Sequence, residues 1–313
     1  MTTVGRGSAE GRITELRGQR VPFVSATVVR AERPTSAKAG DSAIVLADGS
    51  IEGFVGGACA ESSVRAQAVE CLDRGSSVLL RIIPDATPDR SDPVGQVTVA
   101  NPCLSGGTLE IFLEPILPPV LIYTIGTSPI ALALSRGAGA FGFDLRLLDS
   151  LPDPLPDDTA AVVVASHGRG EEAALTAALD ADVSYIALVA SRRRGAAVIE
   201  SLGMCAGVTD RIHTPAGLDI GARTPEEVAL SILAHVISER PRPTTSGENG
   251  LDDSSTVQTQ QSATDPVCGM TVAAVAASLQ VEHNGSTVYF CGSGCQMAFT
   301  ASPDDYESAN GAE

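Results

Sequence analysis

The stretch PVLIYTIGTSPIALAL, residues 119–134, decides the fold of the middle of this chain. An apolar run of strand length ends at Gly126, turns through Thr127 and Ser128, and enters an alanine- and leucine-rich segment that starts with Pro129. Such a run reads as a strand buried on both faces, and proline suits the first helical position because its missing N–H would be unpaired there anyway. The pattern recurs. FDLRLLD (143–149), AAVVVASH (160–167) and SYIALVAS (184–191) read as strands, with helices through 129–140 and near 171–181. Apolar strands alternating with amphipathic helices predict a parallel sheet covered on both faces. A last helix begins at Thr224-Pro225-Glu226-Glu227, a capping box, and carries an apolar stripe of Val228, Ile232, Leu233 and Val236.

Upstream, the pattern changes. After an amphipathic opening helix, PFVSATVVR (22–30) is rich in β-formers, and SAIVLADGSIEGFVGG (42–57) reads as two short strands around an Asp48-Gly49 turn. Residues 60–74 read as helix, SSVLLRII (76–83) as strand, the Pro- and Asp-rich stretch 84–102 as loop, and GTLEIFLEP (107–115) as a half-buried strand. Pro115, Pro118 and Pro119 mark a boundary. Downstream, residues 239–264 are polar and rich in Pro, Ser, Thr and Gln, which predicts a flexible tether unable to bury a core. Beyond it lie DPVCGM (265–270) and VYFCGSGC (288–295).

Composition narrows the function. The 313 residues hold 21 basic and 38 acidic side chains, a formal net charge of -17. No basic footprint is present for nucleic acid, and attraction to anionic membranes is disfavoured. No run of eighteen apolar residues exists to span a bilayer, and residues 1–18 lack the apolar centre of a signal peptide. The expectation is a cytoplasmic protein whose seven cysteines are reduced, an odd number that argues against a disulfide framework.

Several residues could carry chemistry. The Gly126-Thr127-Ser128 turn sits where a dinucleotide fold cradles a pyrophosphate on a helix N-terminus, with Ser128 replacing the second glycine of that fingerprint. Asp149 ends the next strand, where an acid could bind a ribose hydroxyl; the bland alternative is a structural turn with an exposed Asp. Gly56 and Gly57 precede a helix bearing Cys59 and Glu61 in its first turn, a setting that favours thiolate. A small buried cysteine is the commoner fate of the type. Cys103 lies in the Pro/Gly-rich NPCLSGG, while Cys71 and Cys205 read as core or incidental. His167 ends a strand at the edge where α/β sheets place ligands, as base, phosphate donor or mere strand cap. Arg192, Arg193 and Arg194 could clamp a polyanion or form a solvated helix end. In the tail, Cys268, Cys291 and Cys295 suit trigonal copper(I); tetrahedral zinc needs a fourth ligand, for which His283 is nearest in sequence. A small fold that buries cysteines without metal is the alternative.

With these residues in place, the chain resembles the XdhC/CoxI family, accessory proteins of molybdenum hydroxylases such as xanthine dehydrogenase and aerobic carbon monoxide dehydrogenase. The matching stretches are residues 22–61, 120–134, 185–194 and 214–237. The tail resembles a YHS domain through DPVCGM, Tyr289-Phe290-Cys291, Cys295, Phe299 and Pro303. The resemblance implies an α/β architecture: an N-terminal mixed module over 8–115, a Rossmann-like parallel-sheet domain over 118–239, a linker over 240–263 and a YHS module over 264–308. It implies a maturation factor that binds molybdenum cofactor (molybdopterin) and hands it to an apo molybdenum hydroxylase client. Cys59 would be the cofactor or sulfur contact, Gly126 and Asp149 the nucleotide-fold positions, and the tail a site for copper or zinc. A homodimer remains open. An NAD(P)-dependent oxidoreductase and a metal sensor or store are the competing readings.

Overall fold

Residues 6–84, 92–100, 107–240 and 262–307 are described by the computed structural model. They form two compact units, one of the described residues up to 118 together with 262–307, the other of residues 119–240. Cys103 and most of the expected linker, 241–261, lie outside the described residues.

In the first unit, α1 (Arg6–Gly18) leads into β1 (Phe23–Glu32), β2 (Ser42–Leu46) and β3 (Ile51–Gly53), then α2 (Ala58–Arg74), β4 (Val78–Ile83), β5 (Gln96–Ala100) and β6 (Thr108–Ile116). The strands order as β3-β2-β1-β6-β4-β5, antiparallel except for β4 beside β5. Alternation in β1 points Val24, Ala26 and Val28 into a core shared with Val64, Ala68 and Cys71 of α2. Cys71 is thus a packing residue, its thiol pushed up to about 11 by burial and by the neighbouring Glu70 charge. Strand β5 departs from the expected 84–102 loop. Asp92 accepts the Thr98 N–H at 2.6 Å and the Thr98 hydroxyl at 2.6 Å, which secures this short parallel edge.

The second unit matches the α/β alternation read from residues 119–191. It comprises β7 (Val120–Ile125), α3 (Pro129–Gly137), β8 (Phe143–Leu148), β9 (Thr159–Val164), α4 (Glu171–Asp180), β10 (Tyr185–Leu188), α5 (Arg192–Ser201), α6 (Ala206–Thr209), β11 (Ile212–His213) and α7 (Pro225–Glu239). The strands run parallel in the order β11-β10-β9-β7-β8. One face packs on α3 and α7 through Ile122, Val163, Leu134 and Ile232; the other packs on α4 through Val162, Ile186, Leu175 and Leu179. Each such aliphatic side chain contributes about 1.5–3 kcal/mol by leaving water. Helix α3 stops earlier than the expected residue 140: the chain tightens into a 3-10 turn over Ala138–Phe141, where Gly137 and Gly139 weaken the helix. The capping box of α7 forms as read, Thr224 Oγ1 accepting the Glu227 N–H at 3.2 Å and Glu227 Oε2 accepting the Thr224 N–H at 3.1 Å.

The C-terminal segment has β12 (Ser262–Thr264), β13 (Thr271–Ala273), the β14 (Leu279–His283)–β15 (Ser286–Phe290) hairpin, α8 (Ser293–Ala301) and α9 (Asp304–Glu307). Within the first unit it packs on α2 and on the Asp48-Gly49 turn. A Cβ on Gly49 (φ +82°) would sit 2.5 Å from Val275 Cγ2, and Arg65 Nε on α2 donates to the Gly49 carbonyl at 2.7 Å. No helix among the described residues is long and apolar enough to cross a membrane.

Candidate functional site

The crossover from β8–β7 to β9 makes a switch point, and parallel sheets place ligands at the carboxyl ends of strands near such a point. Gly126 sits there with φ +101°; a Cβ on it would lie 2.5 Å from Ser166 Cα, so the glycine permits close packing on the segment that follows β9. Ser128 is buried, and its Oγ accepts the Ala131 N–H at 3.2 Å as the cap of α3. Asp149 is exposed after β8.

Along the same edge, a cavity of about 920 Å³ opens over β9, β10 and β11. His167, Ser191, Arg192 and Arg194 line it together with the 215–222 segment. Gly126, Ser128, Asp149 and Arg193 are not among its lining residues. Of the three arginines read as a possible polyanion clamp, Arg192 and Arg194 line this cavity. Helical geometry separates them: successive residues turn by about 100°, which sends Arg193 elsewhere.

The cavity wall is braced from beneath. Glu171, the first residue of α4, is 1% exposed. Its Oε1 accepts the Gly168 N–H at 2.7 Å, and its Oε2 pairs with Arg194. This hydrogen bond, with the carboxylate charge, holds the Arg194 guanidinium above its ordinary value. The brace fixes a loop in which His167, Gly168 and Gly170 all have positive φ, at 53°, 94° and 63°. Helix α5 starts at the cavity, and Ser191 Oγ accepts the Arg194 N–H at 3.4 Å. Exposed N–H groups of a helix start and two guanidinium forks make a natural phosphate site. Ser166 Oγ and Thr214 Oγ1, adjacent in sequence to lining residues His167 and Pro215, are buried without a hydrogen-bond partner.

In the first unit, Gly56 (φ +142°) and Gly57 lead into α2, and Gly57 serves as its N-cap residue. Cys59 and Glu61 lie in the first turn of that helix, each half-buried. A Cβ on Gly56 would meet Ala60 Cβ at 2.8 Å, so this glycine is needed for the tight entry to α2.

The tail gathers its three cysteines. Cys268 Sγ lies 3.5 Å from Cys291 Sγ, which lies 3.7 Å from Cys295 Sγ. Zinc–sulfur bonds of about 2.3 Å in a tetrahedron space their sulfurs about 3.8 Å apart, so the thiols are already near a ligating spacing. Among the described residues the fourth member of this group is Asp265, all four donors lying within 4.8 Å of one another. This corrects the nomination of His283, whose ring instead meets Phe299 edge-on at 5.3 Å. The DPVCGM motif contained Asp265, but its reach to Cys291 depends on tertiary folding. Asp265 is fully buried; Oδ1 accepts the Val267 N–H at 2.9 Å and Oδ2 the Cys291 N–H at 2.8 Å.

Burial, followed by hydrogen bonds with Asp265 and Cys268, pushes the Cys291 thiol well above its ordinary value. Burial and the Asp265 charge push Cys295 up to about 12, against a lowering hydrogen bond from Cys291. Both are therefore protonated at neutral pH, and a metal ion bound there would have to displace the protons. Metal affinity is expected to rise about tenfold per pH unit for each thiol ionised on binding. Competition against a chromophoric chelator between about pH 6 and 8 checks this; a pH-independent affinity would exclude thiolate ligation.

Three family models match the chain. The XdhC and CoxI family model matches residues 16–82, the XdhC Rossmann domain model 122–236 and the YHS domain model 263–310. The first two together cover more than half of the chain. Among curated proteins, the chain is similar to YqeB of Escherichia coli K12, 27% identical over 250 residues, covering 71% of this chain and 44% of that protein. It is similar to the molybdenum cofactor insertion chaperone PaoD of the same organism, 26% identical over 283 residues, covering 75% and 84% respectively. It is also similar to a probable xanthine dehydrogenase subunit of Bacillus subtilis 168, 24% identical over 161 residues, covering 43% and 47%. The chain thus spans less than half the length of the first and third of these relatives and most of the second.

Proposed function

The chain belongs to the XdhC and CoxI family, with a YHS domain at its C-terminal end, and on that premise we propose that it binds molybdenum cofactor and delivers it to an apo molybdenum hydroxylase. The observation that carries the reading is the cavity in the second unit that Arg192 and Arg194 line, the first beside Asp219 and the second paired with Glu171. Its volume of about 920 Å³ suits a bulky ligand. Arg192, Arg194 and the start of α5 would hold the phosphate end of the cofactor. These donors fit an anionic ligand. When bound, the cofactor supplies the molybdenum; the chain's residues hold, shield and release it. Cys59, half-buried at the start of α2, is the proposed sulfur contact of the first unit. The relative PaoD, matched over most of its length, is named for insertion of the same cofactor.

The tail adds a second class of ligand. The closely spaced thiols of Cys268, Cys291 and Cys295 favour a soft ion, copper(I) or zinc. A copper-donating tail would suit a client of the molybdenum–copper carbon monoxide dehydrogenase type. The test is elemental and pterin analysis of the full chain, purified anaerobically from cofactor-producing cells. Molybdenum and pterin in equal amounts are expected, falling at least about tenfold in Arg192→Ala/Arg194→Ala, in keeping with the loss of two charge-assisted contacts. Copper or zinc should vanish in Cys268→Ser/Cys291→Ser while pterin stays. A wild-type chain that carries no molybdenum under these conditions would overturn the cofactor reading.

A further inference from the structure

Tyr185, His213 and His235 form a compact cluster inside the second unit, with Glu239 beside it. No sequence motif marks these residues, and the cofactor reading does not use them. Tyr185 is buried at the start of β10. His213 ends β11, and its ring stacks on Tyr185 at 4.9 Å. His235 lies on α7 and meets His213 edge-on at 4.5 Å. One helical turn later, Glu239 places Oε1 3.6 Å from His235 Nε2.

We infer that His213, His235 and Glu239 form a binding site for a divalent transition-metal ion such as zinc, independent of the thiol cluster and of the cavity's ligand. One donor atom from each lies within 4.8 Å of the other two. Ligands about 2.1 Å from a shared ion sit about 3.4 Å apart, so each pair of donors has to close by no more than about 1.4 Å. Two imidazoles and a carboxylate are a ligand set that zinc and its neighbours accept, and they leave at least one position open. The orientation of His235 is already set: its Nδ1 lies 3.2 Å from the Tyr185 hydroxyl, leaving Nε2 toward Glu239. A partner on the far ring nitrogen is how metal-binding histidines are commonly held. Tyr185 is itself anchored, its hydroxyl accepting the Gly217 N–H. His235 and His213 are half-buried, whereas Glu239 is exposed, which gives an ion a route in from solvent.

The placement gives the ion a purpose within the fold. His213 immediately precedes, and α7 immediately follows, the 214–224 segment that supplies Pro215, Gly217, Asp219 and Gly221 to the cavity. An ion shared by β11 and α7 would tie the strand that leads into that wall to the helix on which the wall packs, where the Leu218 N–H meets the Ser231 carbonyl. Cobalt(II), a spectroscopic stand-in for zinc, separates this site from the thiol cluster, because thiolate ligation adds an intense charge-transfer band that nitrogen and oxygen ligation does not. The experiment is an anaerobic cobalt titration of the untagged full chain. One equivalent is expected to produce ligand-field bands without the thiolate band. His235→Ala should abolish that equivalent, and Glu239→Gln, an exposed change that leaves the core intact, should weaken it at least about tenfold. If His235→Ala fails to fold, Glu239→Gln decides. No thiolate-free equivalent in the wild type, or one unchanged in Glu239→Gln and in folded His235→Ala, overturns the site.

Discussion

Asp265→Ala is expected to dismantle the thiol cluster and to cost the C-terminal module about 3 kcal/mol. The carboxylate has no exposure to water, and each oxygen answers one backbone donor: Val267 N–H on the loop that carries Cys268, and Cys291 N–H at the end of β15. Removing it strands both donors and unties two segments separated by 26 positions in the chain. Asparagine should recover part of the loss, because its amide oxygen can serve only one of the two donors. The pH dependence has a definite sign. Burial acts to raise the Asp265 pKa, but the Cys291 and Val267 N–H groups and the two neighbouring thiols outweigh it, so the folded value lies below the unfolded one. Its contribution is therefore complete above the unfolded value of about 3.9 and is lost as pH falls through the folded value. The gap between wild type and variant should stay flat through neutral pH and narrow only in acid. Hydrogen exchange of the β15 and α8 amides is the direct readout, with metal content alongside. Wild-type protection and wild-type metal loading in Asp265→Ala would show that Asp265 organises neither. Cys268→Ser, which removes a ligand but no backbone acceptor, should lose metal with the amides still protected.

What was legible in the sequence follows from how local its cause was. The parallel sheet was readable because β7, β9 and β10 are apolar on both faces, and α7 because its capping box lies within four consecutive residues. Strand β5 escaped because Gln96–Ala100 is short and its support is the tertiary pairing with β4. The three tail cysteines were recognisable by residue type, whereas their fourth neighbour was not: His283 is nearer Cys291 in sequence, yet β14 turns it toward Phe299. The cavity was half legible. His167 and Arg192 stood out by their strand-end and helix-start positions, but the 215–222 wall has no periodicity, and only the fold brings it opposite them. The histidine cluster left no motif, since its members sit on β10, β11 and α7 and meet only after the sheet is closed.

Glu171→Ala is expected to loosen the cavity wall and to lower the stability of the second unit by about 2–3 kcal/mol. Breaking a buried ion pair costs more than a surface one because the remaining charge is stranded. Here the value falls toward the lower end, since the Arg194 side chain is 38% exposed and can turn to water. The released Gly168 N–H adds a second loss, and it frees a loop already bent through three positive-φ residues. Arg194→Ala should be destabilising as well, because it leaves the Glu171 carboxylate buried with only the Gly168 N–H and the positive end of α4 to offset it. The double variant should then be milder than the two losses added together, by about 1–2 kcal/mol, as expected for partners in direct contact. Urea unfolding of the four proteins measures this coupling. Strict additivity would mean that Glu171 and Arg194 do not depend on one another. Pyrophosphate binding offers a separate readout. Arg194→Ala removes a guanidinium from the cavity, whereas Glu171→Ala keeps it and only lets it wander. Affinity should therefore fall further in Arg194→Ala than in Glu171→Ala, each by at least about tenfold where the bound anion uses the fork. Equal, undiminished affinity in both variants would place the anion away from Arg194 and remove the cavity's claim to the phosphate end of the cofactor.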